Sequence, residues 1–451
     1  MKLVYYRKVI QYVLMFLLFF LCLQFFYSCF LSDRMYNYGF SYAVSKGEIP
    51  YRDFNMIVTP VGAFLYAIPF LIFGSHMIVF NLFQALLLCV LFYFLFKLYD
   101  KKAWILFIVL LSFFPKPFPC IMSHGYNFLL LLELVILLYL EKNNKNDYLI
   151  GFIIGIAFLT KQTVGLALSL PSFYYLFKYK DYRKVLKRAG TFLSINIVFV
   201  IYLLITNSFS QFIDLCFLGL FDFTKQNGTI FDVNFIIFLI EIICILVFII
   251  KDKKNINNYY ILAFSTIAIP LFDFWHVALF TYAFLFLIVE KLRMREFKNI
   301  EFCCILLTYA LPITLFILIY DFNLPELSNF KGIELSIISS DVKREFADIS
   351  NYIDNNESKN IIILSNNTYF LKIINDLDIT YYDLLNYGNH GYDGTNKIIN
   401  RIRSEKNPTF IVNVDAYKEK SRRQQFNREI VKYVLDNYEQ VETLDNYVIY
   451  E

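Results

Sequence analysis

Ile10–Leu31 (IQYVLMFLLFFLCLQFFYSCFL) runs straight into Ser32-Asp33-Arg34, and that junction decides how the chain is read. About 20 apolar residues span the hydrocarbon core of a bilayer, so the stretch is long enough to cross. It lacks a small-residue cleavage site, so it reads as a retained helix rather than a removed signal peptide. A carboxylate therefore stands where an N-terminal membrane helix ends. A polar loop follows, Met35 to Pro60, containing Gly47-Glu48-Ile49-Pro50-Tyr51-Arg52-Asp53-Phe54. Asp33, Glu48 and Asp53 put three acids at one water interface, which points to chemistry on a membrane-borne substrate.

Further apolar segments are His76–Leu98, Ala103–Phe114, Ile121–Leu140, Tyr148–Thr160, Val164–Phe177, Ala189–Thr206, Phe235–Ile250, Tyr259–Phe272, Val277–Val289 and Ile300–Tyr320. Of 451 residues, 58% are hydrophobic and 20% aromatic, and the mean hydropathy is +0.51. Soluble domains do not repeat apolar runs of this length, so a soluble class is excluded. The expected fold is a polytopic α-helical membrane protein of about 11 spans. Pro60 to Gly74 is apolar but short, and reads as an interfacial helix in the first loop.

Lys and Arg assign the sides. With Lys2, Arg7 and Lys8 inside, the inner loops carry Lys97, Lys101 and Lys102; Lys142 and Lys145; Lys178, Lys180, Arg183, Lys184, Lys187 and Arg188; Lys251, Lys253 and Lys254; and Lys291, Arg293, Arg295 and Lys298. The opposite loops carry single charges: Arg34, Lys46, Arg52, Lys116, Lys161 and Lys225. By the positive-inside rule the first loop and the C-terminus lie outside the cell membrane, with the N-terminus cytoplasmic. Abundant Lys, Asn, Ile and Tyr hint at a bacterial, AT-rich genome.

After Asp321 the composition turns polar. Asn360–Leu364 and Thr409–Val414 read as strands, and Thr368–Asp376, Thr395–Lys406 and Arg422–Asn437 as helices. Gln440–Thr443 and Tyr447–Tyr450 read as a closing hairpin turning at Asp445-Asn446. The expected division is residues 1–320 as the membrane domain, with a catalytic outer loop at 32–75, and residues 321–451 as a small extracytoplasmic α/β domain. The eight cysteines are Cys22, Cys29, Cys89, Cys120, Cys216, Cys244, Cys303 and Cys304. They lie almost wholly in apolar runs, without metal-ligand spacing, and read as packing residues.

Asp33, the Gly47–Phe54 segment, then Thr59-Pro60-Val61-Gly62 and Phe73-Gly74, resemble the first outer loop of the glycosyltransferase C superfamily. The nearest branch is the family 39-type enzymes, which include aminoarabinose transferases and protein O-mannosyltransferases. Phe158-Leu159-Thr160-Lys161-Gln162-Thr163-Val164-Gly165 extends the resemblance, as does a helical body followed by an α/β domain. The resemblance implies a sugar moved from a polyprenyl phosphate or diphosphate to a cell-envelope acceptor, a glycan, lipid or protein. It also implies that Asp33 is the catalytic acid or base. Arg34 stands where many relatives have Glu, so the second acid falls to Asp53 or Glu48.

Several residues fit that chemistry. A carboxylate at the interface can take the acceptor proton, and the leaving phosphate needs cations. Lys161, flanked by apolar residues, is costly unless paired with an anion or snorkelling to water. Arg34 and Arg52 are further phosphate partners, and Tyr51 and Gln162 line the same motifs. Asp273-Phe274-Trp275-His276 is either a substrate contact through Asp273 and His276 or an interfacial Trp-His belt. His124 stands at the outer start of a helix with Ser123 and Asn127, and Glu133 lies deeper in that helix. The stretch Asn386–Gly394 reads as a surface loop that either contacts the acceptor or does nothing. No cofactor is certain: Asp33 and Asp53 could hold a hard divalent cation, and Lys and Arg would make one unnecessary. No nucleic-acid partner is expected. Competing classes are a lipid-linked glycan polymerase or ligase, and a flippase or transporter, which should carry inverted halves and mid-membrane charges.

Overall fold

A computed structural model describes residues 2–25, 32–112, 125–227, 232–269, 271–292, 326–356, 360–365, 367–386, 388–414 and 427–451. The chain divides into two compact units. The first holds Met1–Tyr27, Phe80–Phe199 and Ile230–Pro325. The second holds Ser28–Val79, Val200–Thr229 and Glu326–Glu451. Residues 28–79 and the C-terminal residues thus fall in one unit, which a linear division at residue 320 does not anticipate.

The first unit is helical: α1 Lys2–Phe25, α4 Met77–Tyr99, α5 Ala103–Ser112, α6 Gly125–Lys142, α7 Asp147–Thr160, α8 Gln162–Ser169, α9 Phe173–Tyr179, α10 Tyr182–Ile205, α13 Val233–Lys251, α14 Ile256–Phe264 and α15 Phe274–Lys291. Side-chain caps mark several starts. Asn146 accepts from Tyr148 N, Asp232 from Asn234 N and Phe235 N, Asn255 from Asn257 N, and Asp273 from His276 N. Each satisfies backbone donors that the first turn leaves open. Among the described residues four helical runs are long and apolar enough to cross a membrane: Met77–Leu110, Tyr182–Ile205, Val233–Lys251 and Phe274–Lys291. α13 turns Ile236, Ile240, Ile243 and Val247 outward. An aliphatic outer face is what a lipid solvent requires. This is a helical membrane protein.

The structure redraws some segments. Val164–Phe177, expected as one helix, is α8, a 3-10 turn at Leu170–Ser172 and α9; the turn falls at Pro171, whose missing N–H cannot continue the ladder. Tyr259–Phe272 is α14 plus a 3-10 turn at Ser265–Ala268. The segment Ile300–Tyr320 and the N-terminal part of Arg422–Asn437 lie outside the described residues.

The second unit combines α2 Ser32–Ser45, α3 Val61–Phe73, the end of α10, and a continuous helical stretch made of α11 Phe209–Ile213, a π turn Asp214–Leu218 and α12 Gly219–Asn227. With them stands an α/β layer of α16 Ser340–Asn355, β1 Asn360–Leu364, α17 Thr368–Ile374, α18 Gly394–Ser404, β2 Pro408–Asn413, α19 Arg428–Asn437, β3 Gln440–Leu444 and β4 Tyr447–Tyr450. Strand order is β1-β2-β4-β3, with β1 and β2 parallel and the other pairs antiparallel. Ile362, Leu364, Phe410 and Val412 pack against Ile398, Ile402, Ile430, Val431 and Val434. The 3-4 spacing of those helix residues is the amphipathic pattern that covers a sheet face. Asp445, at φ 47°, makes the hairpin turn.

Two elements of this unit escape the sequence reading. α16 carries its apolar residues at Phe346, Ile349 and Ile353, with Ser339 as N-cap. Its high polar content hides that stripe. The stretch 209–227 was assigned to no element. It packs Phe212, Leu215 and Cys216 inward, with the Phe212 ring 5.2 Å from that of Tyr51.

Asn386–Gly394 is a docking platform for that stretch rather than a free loop. A Cβ on Gly388 would lie 2.5 Å from Phe223 Cα, and one on Gly391 would lie 2.2 Å from Asp214 Oδ2. Both glycines have positive φ, +84° and +80°, so backbone conformation and close approach both require glycine here.

Candidate functional site

In the second unit Asp33 occupies the first turn of α2; its side chain lies outside the described residues, as does His124. Arg34 is buried on the same helix. Gly39 lets α2 approach Tyr369, whose ring would meet a Cβ there at 1.9 Å. Tyr38 Oη reaches the carbonyls of Ser75 and Gly332, each at 2.7 Å. Helix α2 is thus tied to the C-terminal residues by a buried hydroxyl as well as by exposed charges.

The Gly47–Phe54 segment is a tight turn. Tyr51 N donates to Phe54 O at 3.0 Å, and Tyr51 sits at φ 71° with its side chain fully buried. Its hydroxyl donates to Val58 O at 2.8 Å. Tyr51 is therefore a core residue of the loop. The carbonyls of Tyr51 and Arg52 both accept from the Tyr381 hydroxyl.

The two loop carboxylates stand in opposite environments. Arg52 Nε and Nη2 donate to Asp53 Oδ1 and Oδ2 at 2.8 and 2.9 Å, and Ile49 N donates to Oδ2 at 2.7 Å. Hydrogen bonding from Arg52 holds the Asp53 carboxyl below its usual range. With both oxygens hydrogen-bonded, Asp53 closes the turn and holds Arg52. Among the described residues no three His, Cys, Asp or Glu side chains are grouped to hold a metal ion.

Glu48 is half-buried. Its Oε1 accepts from Ile379 N at 3.2 Å, while Oε2 is buried without a hydrogen-bond partner. Burial, then the Asp378 carboxylate, push its pKa up to about 7, against smaller pulls from the Ile379 amide and Lys372. Close by, Lys372 Nζ is buried between Asp383 Oδ2 at 2.8 Å, Asp378 O at 2.8 Å and Thr380 Oγ1 at 3.0 Å. A carboxyl that changes charge near neutrality is suited to proton transfer. Sequence spacing does not separate Glu48 from Asp53; only the packing of residues 372–383 does.

In the first unit Lys161 breaks the helix between α7 and α8 with φ −154° and ψ 114°. A Cβ on Gly165 would lie 2.0 Å from Phe158 N, so α8 folds back on α7 at backbone contact. This explains why the Phe158–Gly165 stretch pairs a lysine with a glycine. Lys161 Nζ stands 5.9 Å from the Tyr126 ring centre, at cation–π distance. Gln162 is buried beside it. Thr160 Oγ1 donates to the buried Glu133 Oε1 at 2.7 Å, and Glu133 Oε2 has no hydrogen-bond partner. Asp273 and His276 form a local pair: Asp273 Oδ1 accepts from His276 N at 3.0 Å and lies 2.8 Å from His276 Nδ1. Both take part in starting α15.

Residues 58–230 match the model of glycosyltransferase family 87. The matched segment contains Lys161 and the α7–α8 hairpin and begins after Asp33, Glu48 and Asp53. The resemblance in sequence pointed to a family 39-type branch of the same superfamily. Among solved structures the chain is similar to the crystal structure of the Archaeoglobus fulgidus oligosaccharyltransferase in complex with zinc and sulfate. That similarity has TM-score 0.42 and 11% identity, and covers 90% of this chain and 68% of that one. No curated protein matches the sequence significantly. Helical membrane body and family match together define the class: a membrane glycosyltransferase.

Proposed function

We propose that this protein transfers a sugar from a polyprenyl phosphate or diphosphate to a cell-envelope acceptor at the outer face of the membrane. On this reading the body has about eleven spans, with the C-terminal α/β residues outside. Lys161 carries the proposal. It is a half-buried cation held at a helix break, 5.9 Å from the Tyr126 ring centre, in the segment that matches a glycosyltransferase family. A lipid-linked phosphate answers its charge, and the same charge stabilises the phosphate as it leaves. Asp33 takes the acceptor proton. For the second acid we favour Glu48, which has an unpartnered oxygen and a pKa near neutrality, over Asp53, whose oxygens both accept hydrogen bonds. Arg52 on the exposed side of the turn is a second phosphate contact.

The test is transfer in proteoliposomes as a function of donor concentration. Asp33→Asn should lower turnover by about 10²-fold or more, since general-base catalysis contributes that much. Lys161→Met should raise the donor KM while the protein still inserts, and Lys161→Arg should restore part of the loss. Asp33→Asn within a few-fold of wild type, or Lys161→Met with unchanged donor dependence, removes the corresponding role.

A further inference from the structure

The helical stretch 209–227 has two unlike sides. One side bonds the glycine-rich loop. Asp214 accepts from Tyr392 N at 3.1 Å and pairs with Lys397 Nζ at 2.6 Å, and Asp222 accepts from Asp393 N at 2.6 Å. Gly219 lies against Gly391, and Phe223 against Gly388. The π turn at 214–218 is what permits this. By widening one turn it keeps Asp214 and Asp222, two turns apart, on the same side. The other side carries Phe217, Leu218 and Phe221. Leu218 is 44% exposed and Phe221 63% exposed.

An apolar face of this kind needs a cover, and three observations say which. The stretch follows α10, a helix long and apolar enough to cross a membrane, after a short turn at 206–208. The last residues of α10, Leu204 and Ile205, are themselves exposed, so the outward apolar surface continues from the span into the stretch. In the same unit α3 shows a similar surface, with Leu71 68% exposed and Ile72 and Phe73 beside it. The acids meanwhile all point to protein partners, which leaves the exposed face free of carboxylates.

We propose that residues 209–223 form a membrane-surface element: the Phe217–Leu218–Phe221 face lies in the headgroup and acyl boundary, and the Asp214–Asp222 face clamps the glycine-rich loop of the α/β layer. The occupant is the bilayer surface, because an apolar face continuous with a span and backed by a charged clamp matches an interfacial helix. The element seats the α/β layer at the lipid surface through bonds that only glycine at 388 and 391 allows.

The test uses the full chain in nanodiscs. Phe221→Trp is made in a chain whose two native tryptophans, Trp104 and Trp275, are phenylalanine, and acyl-brominated phospholipids are the quenchers. Strong quenching by bromines near the headgroup, and weaker quenching by bromines near the chain end, is the expected result, since interfacial helices bury about 5–10 Å deep. Absent quenching, or quenching strongest at the chain end, overturns the proposal. If the tryptophan-free chain fails to insert, Leu218→Cys in the native background, with labelling read at that site by peptide mass spectrometry, gives the same answer. It should react with a water-soluble maleimide about tenfold or more slowly than the exposed control Lys406→Cys, as expected of a face buried at that boundary. Equal rates, or protection that appears only at high protein concentration, overturn it in favour of water or a second copy.

Discussion

Buried charge is handled in two ways in this molecule. In the helical unit Arg188 is enclosed with Glu141, Asp147, Tyr175 and Tyr260. Glu141 Oε1 accepts from Arg188 and from Tyr260 at 2.9 Å, and Oε2 from Tyr175 at 2.8 Å and Arg188 Nη2 at 3.2 Å. Arg188 Nε donates to Asp147 at 2.9 Å. Gly151 lets α7 meet the Arg188 backbone, where a Cβ would lie 2.3 Å from its carbonyl. Both oxygens of the carboxylate and all three nitrogens of the guanidinium are engaged. Around Glu48 the accounting is incomplete. Glu48 Oε2 and the neighbouring Asp383 Oδ1 are buried without hydrogen-bond partners. A closed network holds helices together, while open valences stay responsive to protons and ligands. The contrast separates scaffold from candidate chemistry more sharply than residue type does.

The largest expected effect breaks the closed network. Arg188→Met should leave Glu141 charged and buried, at a cost of about 3–5 kcal/mol. Thermal unfolding in detergent should show a steep loss of folded protein. Adding Glu141→Gln to it should recover a good part of that loss; a double variant no better than Arg188→Met would mean packing, not charge, dominates the cluster.

Glu48 sharpens the comparison from the open side. Its folded-state pKa is about 7, above the ordinary glutamate value near 4.3. Between those values the folded chain binds more protons than the unfolded one, so stability falls as pH rises through the window. Glu48→Gln keeps an acceptor for Ile379 N and removes the titration. The variant should match wild type near pH 4 and gain on the order of 1 kcal/mol by pH 8, a figure reduced for partial exposure. Parallel stability curves across that range would show that water reaches Glu48 freely.

The smallest effect belongs to the surface. Asp376 bonds Lys46 at 2.6 Å, Lys331 at 3.1 Å and Tyr42 at 3.1 Å, and hydrogen bonds from the two lysines lower its pKa to about 2. The pair residues are about half exposed, so Asp376→Asn should cost at most ~1 kcal/mol, and less at high salt. Because the folded pKa is depressed, wild type should lose that increment as pH falls from about 4 to 2, whereas the variant should not. A cost of several kcal/mol, insensitive to salt, would place this pair with the buried network instead.

How much was legible in the sequence varies by residue. Tyr51 and Lys161 stood out by their motifs, but only the fold distinguishes them. Tyr51 is packed against Phe212, a residue far along the chain, while Lys161 marks a break that Gly165 makes tight. The glycine-rich loop looked idle because its partner, 209–227, has mixed polarity and a π turn, so its periodicity matches no simple helix. α16 was missed for a related reason: its stripe is narrow and its remaining residues are charged.

The sequence by itself determined the membrane class, the helical body and the existence of a polar C-terminal third. Those follow from runs of apolar residues and their interruptions, which are local and one-dimensional. It also determined the strand and helix pattern around 360–450, since alternation and 3.6-residue periodicity need no distant partner. Only the tertiary structure decided that residues 32–79, 200–229 and 326–451 form one unit, that Glu48 and not Asp53 keeps an open oxygen, and that Asp214 and Asp222 clamp Gly388–Gly394. Each of those depends on which atoms fill a neighbour's hydrogen-bonding capacity, and such neighbours lie more than a hundred residues apart in the chain.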